Sequence, residues 1–168
     1  MQQVITYYLE MKSAGDLLEK NDANGLLIIE AQIDEFRFNK FLYTLVGSAW
    51  QWTEKLSLTD QQWQQYVENP QLRTWVGYFK GAIAGYFELS TDSQGNTEII
   101  YFGLAEEFIG KGLGAYFLSQ AVKSAWAIPG TDRVWLHTCS LDHPSALNNY
   151  QRRGFKVYKT ETSAESLL

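Results

Sequence analysis

The chain has 168 residues, 45% of them apolar, which suffices for one well-buried core and is short for two, so a single domain over residues 1–168 is expected. Its 14 Lys and Arg against 19 Asp and Glu give a net charge of −5 with both signs mixed along the chain, so no basic face announces nucleic acid or an anionic membrane, and the acidic balance tilts towards cationic partners. The first residues carry neither a positive n-region nor an apolar h-region, the run Leu26, Leu27, Ile28, Ile29 is too short to span a bilayer, and the lone Cys139 excludes an intrachain disulfide; a cytoplasmic protein is expected.

In chain order, residues 6–11 and 26–31 read as strands, and Asn24-Gly25 before the second is a turn signal. Residues 14–20 are a loop or a short helical turn. Between 36 and 46, apolar residues at 38, 41, 42, 45 and 46 follow helical spacing, and Gly47 is placed as the C-cap. Thr59 caps a second helix carrying Trp63, Tyr66 and Val67, which stops at Asn69-Pro70. A meander follows: 72–80 and 82–89 form a hairpin about Gly81, and 92–96 turn into a strand over 97–104. Tyr116 to Trp126 make a helix that must end before Pro129-Gly130, and 133–138 form a strand. His143-Pro144-Ser145 opens a helix that Gly154 closes before a short strand at 155–158, and the polar tail from about 160 is expected to fray. This order belongs to one mixed sheet flanked by helices. Cys139 and His137 are placed inside that sheet, and His143 at a helix cap.

The segment Gly110, Lys111, Gly112, Leu113, Gly114 lies between a strand and a helix. Glycines there let the backbone approach a ligand, and the free N–H groups of a helix's first turn suit an anion. A tight turn with no ligand would use the same residues. Two phosphate loops are excluded: Lys111 is followed by Gly112 instead of a hydroxyl, and no acidic residue ends the strand after the helix, which closes near His137 and Thr138.

With this turn after the third meander strand, the chain resembles the GNAT superfamily of acyl-coenzyme A-dependent N-acetyltransferases over about residues 70 to 158. The family's Gln/Arg-x-x-Gly-x-Gly/Ala loop matches residues 109–114 at both glycines, with Ile109 at the leading polar position. Its Asn-x-x-Ala-x-x-x-Tyr-x-x-x-Gly-Phe motif matches 143–155, with His143 in place of the Asn and with Ala146, Tyr150, Gly154 and Phe155 in register. The resemblance implies an α+β fold of three layers, a mixed and mostly antiparallel central sheet flanked by helices. It implies acetyl-coenzyme A as co-substrate, with the pyrophosphate on the main chain from Ile109 to Ala115, the pantetheine arm along Phe102, Gly103 and Leu104, and Asn149 beside it. Gly103 either marks a bulge where another backbone approaches or relieves crowding in its strand.

The resemblance makes Tyr150 the acid that protonates the departing thiolate, which suits a phenol of ordinary pKa about 10. Glu98, fourteen positions before Gly112, matches the base of some family members; Glu88 and a water chain compete with it. Trp50, Trp52 and Glu88 are expected in the acceptor pocket. No His, Cys and carboxylate spacing resembles a metal site, so none is expected. The expected reaction is direct acetyl transfer to a primary amine, of a small molecule or a peptide. The alternative is a non-catalytic acyl-coenzyme A sensor of the same fold. Pairing of two copies, common in the family, is a further expectation.

Overall fold

A computed structural model describes residues 3–164. Eleven regular elements follow one another: β1 (Gln3–Met11), β2 (Leu26–Glu30), α1 (Phe36–Gly47), α2 (Asp60–Val67), β3 (Leu72–Phe79), β4 (Ala82–Thr91), β5 (Asn96–Leu104), α3 (Gly114–Ala127), β6 (Arg133–Cys139), α4 (Ala146–Arg152) and β7 (Lys156–Ala164). The strands form one sheet in the order β2-β3-β4-β5-β6-β1-β7, antiparallel throughout except for β5 beside β6. The mixed, mostly antiparallel sheet and the element order are those expected from the sequence.

Helices cover both faces. On one, Phe117, Leu118, Ala121, Val122 and Ala125 of α3 and Tyr150 of α4 pack onto Leu9, Phe87, Leu89 and Leu136. On the other, Leu42, Tyr43 and Val46 of α1 and Trp63 and Val67 of α2 pack onto Val76 and Tyr86. β4 is an interior strand covered by helices on both faces, so Ala84 to Leu89 are buried, and Glu88 interrupts an otherwise apolar run. In α2 the Thr59 hydroxyl accepts from Gln62 N–H while the Gln62 side chain accepts from Thr59 N–H, a reciprocal cap that fixes the start of the helix.

Three local expectations are corrected. Gly47 is the last residue of α1 and Ser48 caps it; a Cβ at 47 would meet the Trp52 side chain at 2.6 Å, so the glycine serves close packing. Phe41, spaced as a core residue, is 52% exposed, and Tyr43 takes the buried place. The tail expected to fray from about 160 is strand β7 as far as Ala164. Every β7 residue is exposed, so no apolar alternation marks it, and pairing with β1 from Gln3 to Glu10 fixes it instead.

Candidate active site

A cleft of about 1140 Å3 opens where β5 and β6 part. The two strands pair at Asn96 with Arg133, Thr97 with Val134 and Glu98 with Trp135, and the ladder ends there. A register shift in the β4–β5 ladder leaves Ile100 as an extra residue, and bulged strands bend and twist more sharply. Residues 99–104 therefore run along the cleft with one edge paired to β4 and the other turned away from β6. That edge offers N–H and C=O groups to an extended ligand, as an edge strand offers them to another strand.

The glycine turn closes one end of the cleft. Gly110 and Gly112 have φ of 81° and 75°, which an L side chain adopts only under strain, and both line the cleft with Ile109, Leu113, Gly114 and Ala115. Leu113 precedes α3 with its side chain buried and makes no side-chain cap, so no side chain competes for the N–H groups of the first turn. Asn24 Nδ2 donates to Gly112 O at 3.0 Å, and in a planar trans peptide this aims the Leu113 N–H the opposite way. Asn149 Nδ2 donates to Gly114 O at 3.4 Å. Lys111 is exposed and lies off the cleft wall.

Arg153, just beyond α4, also lines this cleft. Its residue exposure is 6%, and its Nε and Nη1 have no hydrogen-bond partner. Burial, with Arg152 beside it, lowers its pKa. A buried guanidinium with open donors is costly unless an anion satisfies it, and Arg153 shares the cleft lining with the glycine turn.

Tyr150 projects from α4 between Phe102 and Phe155, with ring centroids 6.2 Å from each. Burial, and then the Asp142 charge, push its pKa up, so the hydroxyl stays protonated through the neutral range but is a weaker acid than the ordinary phenol expected from the sequence. Asp142 is held in turn by the Thr138 hydroxyl and the Cys139 N–H.

Glu98 sits beside the cleft without being part of its lining. Its carboxylate is 3.8 Å from His137 Nε2, and His137 does line the cleft. Burial raises the Glu98 pKa, and His137 opposes the rise. His137, expected inside the sheet, has its side chain 47% exposed, because the alternation that buries Val134, Leu136 and Thr138 turns it to the other face. Cys139 likewise lines the cleft, half-buried.

Glu88, expected in the acceptor pocket, is fully buried below the cleft wall and accepts from Asn39 Nδ2 and the Tyr66 hydroxyl. A charge in an interior strand can be buried only with partners, and it takes them from α1 and α2. Trp50 and Trp52 do line the cleft, and both are half-buried. The Trp50 ring meets His143 edge-on at 5.0 Å, and Trp52 packs against Tyr101 at 5.1 Å. Ser145 N–H donates to His143 Nδ1 at 3.0 Å, so this histidine also shapes the entry to α4. Tyr8 and Glu54 also line the wall; the Tyr8 ring lies tilted beside His137 at 5.8 Å, and Glu54 accepts from the Tyr101 hydroxyl at 3.2 Å. Asn24, Arg153, Tyr8 and Glu54 had no place in the sequence reading, and only the Asn24-Gly25 turn left any signal.

Residues 34–155 match the model of the acetyltransferase (GNAT) family. No curated protein matches the sequence. Among solved structures, a GCN5-related N-acetyltransferase from Kribbella flavida is similar at TM-score 0.67 and 18% identity, covering 94% of this chain and 56% of that one. The chain thus spans little more than half of that structure's length. An aminoglycoside acetyltransferase from an uncultured soil metagenomic sample is similar at TM-score 0.62 and 14% identity, over 76% of this chain and 86% of that one. An IAA acetyltransferase from Bacillus cereus gives TM-score 0.57 and 24% identity, over 80% and 79%. These identities speak for the fold alone.

Proposed function

The chain belongs to the acetyltransferase (GNAT) family, and we propose that it transfers the acetyl group of acetyl-coenzyme A directly to a primary amine. The observation that carries this reading is the continuity of one cleft from the glycine turn, along the open edge of β5, to the Tyr150 side chain. The residues present fit the co-substrate. Two positive-φ glycines, an uncapped helix start and a buried guanidinium with unfilled donors make an anion site, and a strand edge leads away from it. When bound, acetyl-coenzyme A supplies an activated acetyl group on a thiol leaving group.

Each side chain then has one task. The N–H groups from Gly110 to Ala115 and the Arg153 guanidinium hold the pyrophosphate. The β5 edge from Phe102 to Leu104 orients the pantetheine arm and faces the carbonyl to be attacked. Glu98, steadied by His137 and set just outside the lining, takes the proton of the incoming amine through a water, and the Tyr150 hydroxyl gives a proton to the departing sulfur.

At the acceptor wall, Trp50, Trp52, Tyr8 and Tyr101 stand with Glu54, while Lys20, tied to α3 through Ser119, and Arg153 accompany the anion site. Aromatic faces and carboxylates suit a cationic amine. An aminoglycoside acetyltransferase among the structural neighbours places polycationic amines in the test panel beside amino acids and peptides.

The test is a melting curve with acetyl-coenzyme A and free-thiol release across that panel, for the wild type and Tyr150→Phe. Stabilisation, release with at least one amine, and a loss on the order of 10²-fold in kcat for the variant are expected. Stabilisation with no release from any amine would leave a binding module, and no stabilisation at millimolar ligand would remove the reading.

A further inference from the structure

Lys55 is a buried cation that the proposed reaction does not use. It lies in the segment 51–58 between α1 and α2, which has neither helical nor strand structure. Its side chain is only 8% exposed. Around its Nζ stand the rings of Tyr66 at 3.8 Å, Tyr43 and Tyr101 at 4.8 Å and Trp63 at 4.9 Å. The ammonium donates to Asn39 Oδ1 at 3.5 Å and lies 3.9 Å from Glu88 Oε2. Asn39 also accepts from Trp63 Nε1 and donates to Glu88, so the cluster is tied through α1, α2, β4 and β5 at once.

The other side of the same segment is cleft wall: Trp52, Thr53 and Glu54 line it. Trp52 packs against Tyr43 and Tyr101, and Glu54 is bonded by Tyr101, so two walls of the aromatic box also carry the acceptor wall. We propose that Lys55 is a positioning residue for the acceptor amine: held in its aromatic box over Glu88, it fixes the segment 51–58 so that Trp52 and Glu54 form the acceptor end of the cleft. This rests on the acetyltransferase reading above.

Stability alone does not account for the arrangement. A buried ion pair is often no better than apolar side chains of the same volume, because both charges lose water. Here burial drags the Lys55 pKa down to about 8 although Glu88 and Glu54 pull it up. The other groups facing the ammonium are the Tyr43, Tyr66 and Tyr101 phenols, whose pKa values burial raises, so they stay neutral in the same range. As pH climbs through about 8 the ammonium discharges, and its attraction to the rings and to Glu88 is lost together.

The experiment compares the wild type with Lys55→Met and with Lys55→Met/Glu88→Gln, which removes the stranded carboxylate and protects folding. Deuterium exchange of 51–58 is read first, needing no substrate; then acceptor KM, kcat and coenzyme A affinity are read against pH. Exchange in 51–58 rises about tenfold in both variants while α3 is unchanged, and acceptor KM rises about thirtyfold, the scale of one desolvated cation–ring contact, with coenzyme A affinity kept. Wild-type KM for an amine climbs above pH 8 more steeply than that of the double variant. Unchanged exchange in the double variant, or an unchanged KM and pH profile, overturns the proposal. If no amine releases thiol from the wild type, the transferase reading falls, and exchange alone still decides whether Lys55 holds the segment.

Discussion

Alanine at Gly110 isolates the backbone contribution to the anion site. φ there is 81°, and nothing lies within 4 Å of where a Cβ would stand, so the substitution adds no contact. The whole effect is conformational, about 1–2 kcal/mol for an L residue in the left-handed region. That cost appears in one of two places. If the turn keeps its shape, stability falls, and the melting temperature drops by about 2–8 °C with acetyl-coenzyme A affinity unchanged. If the free turn relaxes instead, stability is kept and the ligand must restore the shape, which weakens binding by about 5–30-fold. Melting curves and calorimetric titration on the same samples measure both, and together the two losses should make up the same 1–2 kcal/mol. Gly112→Val should lose more, because its φ of 75° is joined by a Cβ 3.3 Å from Asn24 Nδ2, the group that orients the turn. Lys111→Ala, exposed and off the wall, should stay within about 0.5 kcal/mol. Gly110→Ala leaving both stability and affinity intact while Lys111→Ala weakens binding would mean that side-chain charge, not main chain, holds the anion.

Two further outcomes follow from buried charge. Glu98 acts as a base only when ionised, and burial raises its pKa, so kcat/KM should climb with pH through a midpoint above the ordinary 4.5; Glu98→Gln should lose that climb and about 10²-fold in rate, and an unaltered rate and pH profile would move the base elsewhere. Arg153→Met should leave the protein as stable or up to about 3 kcal/mol more so, since it removes a buried guanidinium with unfilled donors, while acetyl-coenzyme A affinity falls about tenfold; equal affinity would take Arg153 out of the anion site.

What the sequence disclosed divides along physical lines. Elements set by local rules were legible: the Thr59 and Gln62 cap, the apolar face of α3 stopped at Pro129, and a turn at Gly110 and Gly112 where φ demands glycine. Features set by distant partners were not. Residues 160–163 are polar and become strand only because β1 lies beside them, which also brings Glu161 to the Tyr8 hydroxyl at 2.8 Å. Arg153 reads as an ordinary charge near a helix end, and its burial depends on the fold around it. Glu88 reads as a strand carboxylate facing a pocket, and its enclosure requires Asn39, Lys55 and Tyr66 from outside its own strand.

The least legible feature is also the one that joins these parts. Gly103 invites a bulge, yet the extra residue is Ile100, and Gly103 pairs regularly with Tyr86. A Cβ at 103 would lie 2.7 Å from Val46 Cγ1, so the glycine instead lets α1 settle on the sheet. Pairing of Glu98 with Ser90 and of Tyr101 with Glu88 puts Glu98 and Tyr101, three residues apart, on one face, where an unbroken strand would put them on opposite faces. Through Tyr101 that face reaches the Lys55 box, the Trp52 ring and the Glu54 carboxylate, and through Glu98 it reaches His137. One inserted residue in β5 thereby accompanies the parting from β6 that opens the cleft, and it sets the base candidate and Tyr101 of the acceptor wall on the same face of the strand.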